Sequence, residues 1–121
     1  MLVNLVNHEI RIPRFVSVLM DRKIEKLKRI LYSFQPDTLQ LHIDISNVKR
    51  KDLYQIRISL DLPGANLTVR AEHDDFAGGM GDVFQKLFRK IEEYKAGLRH
   101  ESEFRKEINS IDPNVLEPAS I

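Results

Sequence analysis

Tyr54 to Ala71, YQIRISLDLPGANLTVRA, decides how this chain folds. Tyr54, Ile56, Ile58, Leu60 and Leu62 alternate with Gln55, Arg57, Ser59 and Asp61; Leu67, Val69 and Ala71 then alternate with Thr68, Arg70 and the following Glu72. Successive side chains of a strand point to opposite faces, so each run has one apolar and one polar face. Pro63-Gly64 stands between them. Proline suits the second position of a type II turn, and glycine supplies the positive φ of the third. The pattern predicts an antiparallel pair with one buried face and one solvated face.

Working upstream, Leu39, Leu41, Ile43 and Ile45 alternate with Gln40, His42, Asp44 and Ser46, which adds a third strand to the meander. From Pro13 to about Ser33, Val16, Leu19, Met20, Ile24, Leu27, Ile30 and Leu31 recur at three and four, the spacing of one helical face. Ile12-Pro13 marks the start, because the residue before proline is held extended while proline itself suits a first helical turn. Met1 to Asn7, MLVNLVN, reads as an opening strand.

Downstream, Asp74 or Asp75 can cap a second helix whose stripe is Phe76, Met80, Val83, Phe84, Leu87, Ile91, Tyr94 and Leu98. Gly78, Gly79 and Gly81 fall in its first turns, each costing about 1 kcal/mol relative to alanine, so that end is expected to fray. Gly97 is a possible stop, yet Phe104 and Ile108 could continue the pattern; from Asp112-Pro113 onward the chain reads as a loose tail. The expected fold is α+β, ordered β-α-β-β-β-α: a four-stranded, mainly antiparallel sheet with both helices on one face. Residues 1–100 form the expected domain, and 101–121 a C-terminal extension, partly helical or disordered.

The bulk composition fits one globular domain. The chain has 121 residues, 42% hydrophobic and 31% charged, with a formal net charge of +1. No apolar run approaches the length of a membrane span, and the N-terminus lacks the pattern of a secretory signal, so a cytoplasmic protein with no membrane partner is expected. The absence of cysteine excludes disulfides, thiolate metal sites and a cysteine nucleophile. With so small a net charge, attraction to nucleic acid must come from how charge is distributed.

Three basic clusters stand out. Arg22, Lys26 and Arg29 are spaced four and three apart, forming one stripe of the first helix roughly opposite Ile24, Leu27 and Leu31. Lys86, Arg89 and Lys90 lie on a flank of the second helix, and Lys49-Arg50-Lys51 sits in the loop between the second and third strands. Solvated helix faces often carry such charges, and Glu25, Glu92 and Glu93 could pair with the lysines.

Other chemistry has less support. His73 to Asp82, HDDFAGGMGD, holds three glycines where phosphate loops occur, but no lysine followed by serine or threonine comes after them. Asp74, Asp75 and Asp82 would repel a phosphate there, which leaves a loosely wound first helical turn as the plain reading. His8, His42, His73 and His100 show no metal-ligand spacing. His42 and Asp44 share the wet face as a conceivable base and orienter, without a nucleophile elbow beside them. Phe15, Phe34, Phe84 and Phe88 read as packing, with Phe88 the one expected to be exposed. No catalysis, cofactor, metal or small-molecule substrate is expected.

The last strand and helix, VRAEHDDFAGGMGDVFQKLFRKIEEYK from Val69 to Lys95, place an acidic pair, an aromatic and an alanine ahead of Lys86-Leu87-x-Arg89-Lys90. With the long basic first helix and the Pro-Gly turn, this order resembles the ribosome hibernation-promoting factor and ribosome-associated inhibitor A family, also called sigma-factor modulation proteins. The resemblance spans Met1 to about Arg99. It implies a fold like that of double-stranded-RNA-binding domains, and binding to the small ribosomal subunit in the channel used by mRNA and tRNA. Ribosomes would thereby be held inactive in stationary phase or stress, by occupancy and without catalysis.

Carried over to this chain, the rRNA contacts are Lys86, Arg89 and Lys90, with Arg22, Lys26 and Arg29 as further matches; the Lys49-Arg50-Lys51 loop is an added RNA-binding candidate on its charge alone. Their task would be phosphate neutralisation. Glu92, Glu93 and the three glycines depart from the family pattern. The chain also ends before the additional domain of long members, so a short form or a fragment is expected. The sequence leaves open whether the protein forms a homodimer. A protein-interaction module on the same fold is the alternative from another class, and a nucleotide-using enzyme built on the glycine turn a third.

Overall fold

The structure, a computed structural model, describes the backbone of residues 1–48, 50 and 52–110 and the side chains of residues 1–48, 50 and 52–98. Lys49, Lys51 and the tail from Asp112 lie outside the described residues, as do the side chains of His100, Phe104 and Ile108. The elements are β1 (Leu2–Asn7), α1 (Arg14–Ile30), a 3-10 turn at Pro36–Thr38, β2 (Gln40–Val48), β3 (Leu53–Leu62), β4 (Ala65–His73) and α2 (Phe76–Ser110). One compact unit is Met1–Lys90; Ile91–Ile121 forms another, so α2 contributes to both.

The strands lie in the order β1-β2-β3-β4. β1 runs parallel to β2, with α1 as the crossover that a parallel pair needs, and the other pairs are antiparallel. Leu62 pairs with Ala65 across Pro63-Gly64, where Gly64 has φ +79°, the positive φ required of a type II turn. The fold is α+β with a mixed, mainly antiparallel sheet, and both helices cover one face.

That face is the alternation made solid. Leu41, Ile43 and Ile45 of β2, Ile56, Ile58, Leu60 and Leu62 of β3, and Val69 and Ala71 of β4 are buried. They meet Val16, Met20, Ile24 and Leu27 of α1, with Leu31 just beyond it, and Phe76, Met80, Val83, Phe84 and Leu87 of α2. Each of these Val, Leu, Ile, Met and Phe side chains contributes roughly 1.5–3 kcal/mol when fully withdrawn from water. The opposite face bears Gln40, His42, Asp44, Gln55, Arg57, Ser59, Thr68 and Arg70, none of them buried.

Several local details differ from the sequence reading. α1 begins at Arg14 with Pro13 as its N-cap residue, φ −63° and ψ 151°, and stops at Ile30. Leu31 still donates its N–H to the Leu27 carbonyl, so the helical face outlasts the helix. Leu19 and Ile30 are half-buried rather than buried. Phe15 is 64% exposed, contrary to its assignment to packing, because it sits one position before the Val16 core face. α2 does not stop at Gly97. Within the second unit Ile91 is buried and Leu98 exposed, so the expected stripe does not run its full length.

Candidate nucleic-acid interface

The two helical basic clusters approach each other at one contact, while Lys86 and Lys90 lie on the other flank of α2, toward the β4 edge. Lys26 of α1 places its Nζ 4.7 Å from the ring centroid of Phe88 of α2, a cation–π contact at the seam between the helices. Phe88 is half-buried, not free, and its ring lies 6.1 Å from that of the fully buried Phe84. The α1 stripe therefore faces the flank toward α2 instead of pointing straight away from the core. Arg22 and Arg29 extend it to either side of Lys26, and Arg89 follows Phe88 on α2; all are exposed.

Glu25 is engaged with Lys28, at 3.3 Å, and not with the stripe. Among the described residues, none of Arg22, Lys26, Arg29, Lys86, Arg89 and Lys90 makes an ion pair with a carboxylate. Their positive charge is left facing solvent, where it can meet an external anion.

Lys86 and Lys90 have a further role that sequence reasoning missed. Lys86 Nζ donates to the carbonyl of Arg70 at 3.0 Å, and Lys90 Nζ to the carbonyl of Thr68 at 2.9 Å. β4 is an edge strand, and its outward carbonyls on alternate residues have no neighbouring strand. One helical turn rises about 5.4 Å and two strand residues about 6.8 Å, so lysines four apart reach carbonyls two apart. An ammonium has three donors, and one bond to the edge leaves others for a ligand. The signal was present as an i,i+4 lysine pair on the helix following an edge strand.

The third cluster stands apart. Arg50 is exposed in the β2–β3 turn, beyond the Val48–Leu53 pair and near the end where His73 closes β4 opposite Tyr54. Lys90 lies over Thr68, toward the other end of that strand.

On the open sheet face the conceivable His42–Asp44 pair does not form. His42 Nε2 donates instead to Asp61 Oδ2 at 3.3 Å, while its Nδ1 accepts from Asn4 Nδ2 at 3.4 Å. Asp44 Oδ1 accepts from His8 Nε2 at 2.9 Å. Each side chain is taken instead by a partner from another strand or from the turn after β1. Asn66 links Asp61 to Ser59 in the same layer.

The glycine turn is built for packing, not for phosphate. Asp75 caps α2: its Oδ2 accepts the Gly78 N–H at 3.0 Å, and its carbonyl accepts the Gly79 N–H at 2.9 Å. The carboxylate thus occupies the place an anion would take. A Cβ on Gly78 would stand 2.8 Å from His73 Cε1, and one on Gly79 3.1 Å from His73 Cβ and 3.3 Å from Ile56 Cδ1. These two glycines let the helix start press against the end of β4. Tyr54 and Phe76 stack beside them at 4.8 Å, so this end is anchored where fraying was expected.

Comparison with known proteins adds to this geometry. A ribosomal subunit interface protein from Coxiella burnetii is 24% identical, with a TM-score of 0.60 over 79% of this chain and 99% of that one. The N-terminal domain of Protein Y from Thermus thermophilus is 19% identical, with a TM-score of 0.61 over 78% and 99%. At these identities the likeness is one of fold. No curated protein sequence gives a significant match. Residues 3–99, from β1 into α2, match one sequence family throughout, and the chain belongs to that family, the sigma 54 modulation protein / S30EA ribosomal proteins.

Proposed function

We propose that the protein binds the small ribosomal subunit, in the channel that mRNA and tRNA use, and inhibits translation by occupying it. The carrying observation is that Arg22, Lys26, Arg29 and Arg89 stand exposed about the seam at Lys26 and Phe88, with Lys86 and Lys90 on the far flank of α2, and that among the described residues no carboxylate pairs with any of the six. Family membership supports the ribosome as partner, and one structural neighbour is itself described as a ribosomal subunit interface protein. Guanidinium and ammonium groups displace counterions from RNA phosphates, giving binding that carries little sequence information. An A-form RNA helix is met mainly by its shape and its phosphates, which suits a rigid cationic surface.

On this reading the protein is a cytoplasmic hibernation factor of stationary phase or stress, and it acts by binding rather than catalysis. Arg22, Lys26, Arg29, Lys86, Arg89 and Lys90 are its principal rRNA contacts, with Lys49, Arg50 and Lys51 as an additional set. The test is an in vitro translation reaction programmed with purified subunits. The protein should suppress peptide synthesis in proportion to its occupancy of small subunits, and preloaded mRNA and tRNA should compete with it. Tight association that leaves mRNA and tRNA loading undisturbed would overturn the channel assignment.

A further inference from the structure

The register sets Arg57 of β3 directly opposite Arg70 of β4 on the open face of the sheet. Because the Arg70 carbonyl points outward to Lys86, this is a non-hydrogen-bonded pair, the closer of the two antiparallel kinds, with Cα atoms about 4.5 Å apart. Like charges placed so are destabilising by themselves. The neighbouring carboxylate in the same row, Asp44, lies opposite Arg57 but accepts from His8 at 2.9 Å. Glu72 is one row further on, opposite Gln55. Among the described residues neither arginine makes an ion pair.

Around the two guanidinium groups the surface is hollowed. Arg57, Thr68, Val69 and Arg70 line a depression of about 370 Å³. Lys86 and Lys90 stand at its outer side, bonded to the carbonyls of Arg70 and Thr68. Four cations from three elements thus converge on one short segment of β4. Positive charge continues from the α2 flank around the strand edge onto the open face, which neither helix covers.

We infer that Arg57 and Arg70 form a phosphate-binding site on the open sheet face, taking a backbone phosphodiester of the RNA that the helices bind. Two planar guanidinium forks match the several oxygens of a tetrahedral phosphate, and the anion removes the repulsion between them. The RNA assignment rests on the ribosomal reading above; the phosphate chemistry rests on the pair alone. The RNA strand follows the edge of β4, held by Lys86 and Lys90 on one side and by the arginines on the other.

Two measurements test this. Inorganic phosphate is titrated into the full chain at constant ionic strength, following the Arg57 and Arg70 Nε–H resonances. These should shift with phosphate, should not shift with chloride, and should lose their response at the remaining arginine in Arg57→Gln and in Arg70→Gln. Binding to purified small subunits is then measured at stepped salt for the wild type and for the Arg57→Gln/Arg70→Gln variant. The double variant should bind about tenfold more weakly and lose about 1 from the salt slope. Absence of any phosphate-specific shift overturns the site. A phosphate response with unchanged subunit affinity overturns RNA as its ligand, as does a wild type that responds to phosphate yet fails to bind subunits; only the last also removes the ribosomal reading.

Discussion

The two edges of the sheet are built differently. At β4 the outward carbonyls of Thr68 and Arg70 accept lysine ammonium groups from α2, and the strand is half-buried or better at most positions. At β1 every residue is exposed: Leu5, on the same face as the core of β2, is 42% exposed, and Val6, on the open face, 49%. Charged residues, above all lysine, are a known means of protecting an edge from pairing with another chain. Here the protection at β4 uses part of the cation set proposed to bind RNA. One pair of side chains thereby ties the stability of an edge to the placement of charge, while β1 contributes little to either.

The largest contrast between the edges should come from their support. Leu87→Ala removes a fully buried side chain of the helix that carries Lys86 and Lys90, and should cost about 3 kcal/mol in denaturant unfolding. Leu5→Ala should cost about 1 kcal/mol or less, since nearly half of that side chain is already in water. Equal losses would mean that β1 is as integral as β4.

The join between β4 and α2 gives a smaller and signed effect. Gly79→Ala places a methyl at 3.1 Å from His73 and 3.3 Å from Ile56, and should destabilise by about 1–2 kcal/mol. Gly81→Ala meets nothing within 4 Å and should stabilise by about 0.5–1 kcal/mol. Thermal melts of the two variants moving in the same direction would remove the close-packing account of the glycines.

Uncovering the β4 edge is the next test in size. Lys86→Met/Lys90→Met retains the apolar stems and deletes two exposed hydrogen bonds, at about 1 kcal/mol in all. Sedimentation should then show stronger concentration-dependent self-association than in the wild type; a variant that associates no more than the wild type would deny the lysines their guarding role. Smallest of all, Arg57→Gln should raise stability at low salt by a few tenths of a kcal/mol, because it removes one of two like charges facing each other across the strands. A loss of stability would show that the two guanidinium groups are not in net repulsion.

The sheet was legible in the sequence because alternation with period two at Leu39–Ser46, Tyr54–Leu62 and Leu67–Glu72 has one reading, and Pro63-Gly64 dictates the turn between the last two. Less legible was whatever depends on a neighbour far along the chain. Arg57 and Arg70 looked like ordinary polar-face residues until the register set them opposite one another. Lys86 and Lys90 could be placed on a flank of a helix, but not over the carbonyls of β4. Phe15 was misjudged for a related reason: helical spacing near a core face does not say on which side of that face a ring falls. The glycines gave two patterns at once, a weak phosphate motif and a weak helix, and only the His73 and Asp75 contacts separate close packing from ligand binding.

The helical cation surface can be isolated from these structural roles, since the side chains of Arg22, Arg29 and Arg89 hold no hydrogen bond or ion pair among the described residues. The most direct measurement is the affinity for purified small subunits as a function of salt, for the wild type and for Arg22→Glu/Arg29→Glu/Arg89→Glu. With about six phosphates neutralised, log affinity should fall against log salt with a slope of about −4 to −5, and the variant should lose more than about a hundredfold while melting like the wild type. Binding that ignores salt, or a charge-reversed variant that still binds like the wild type, would contradict the account.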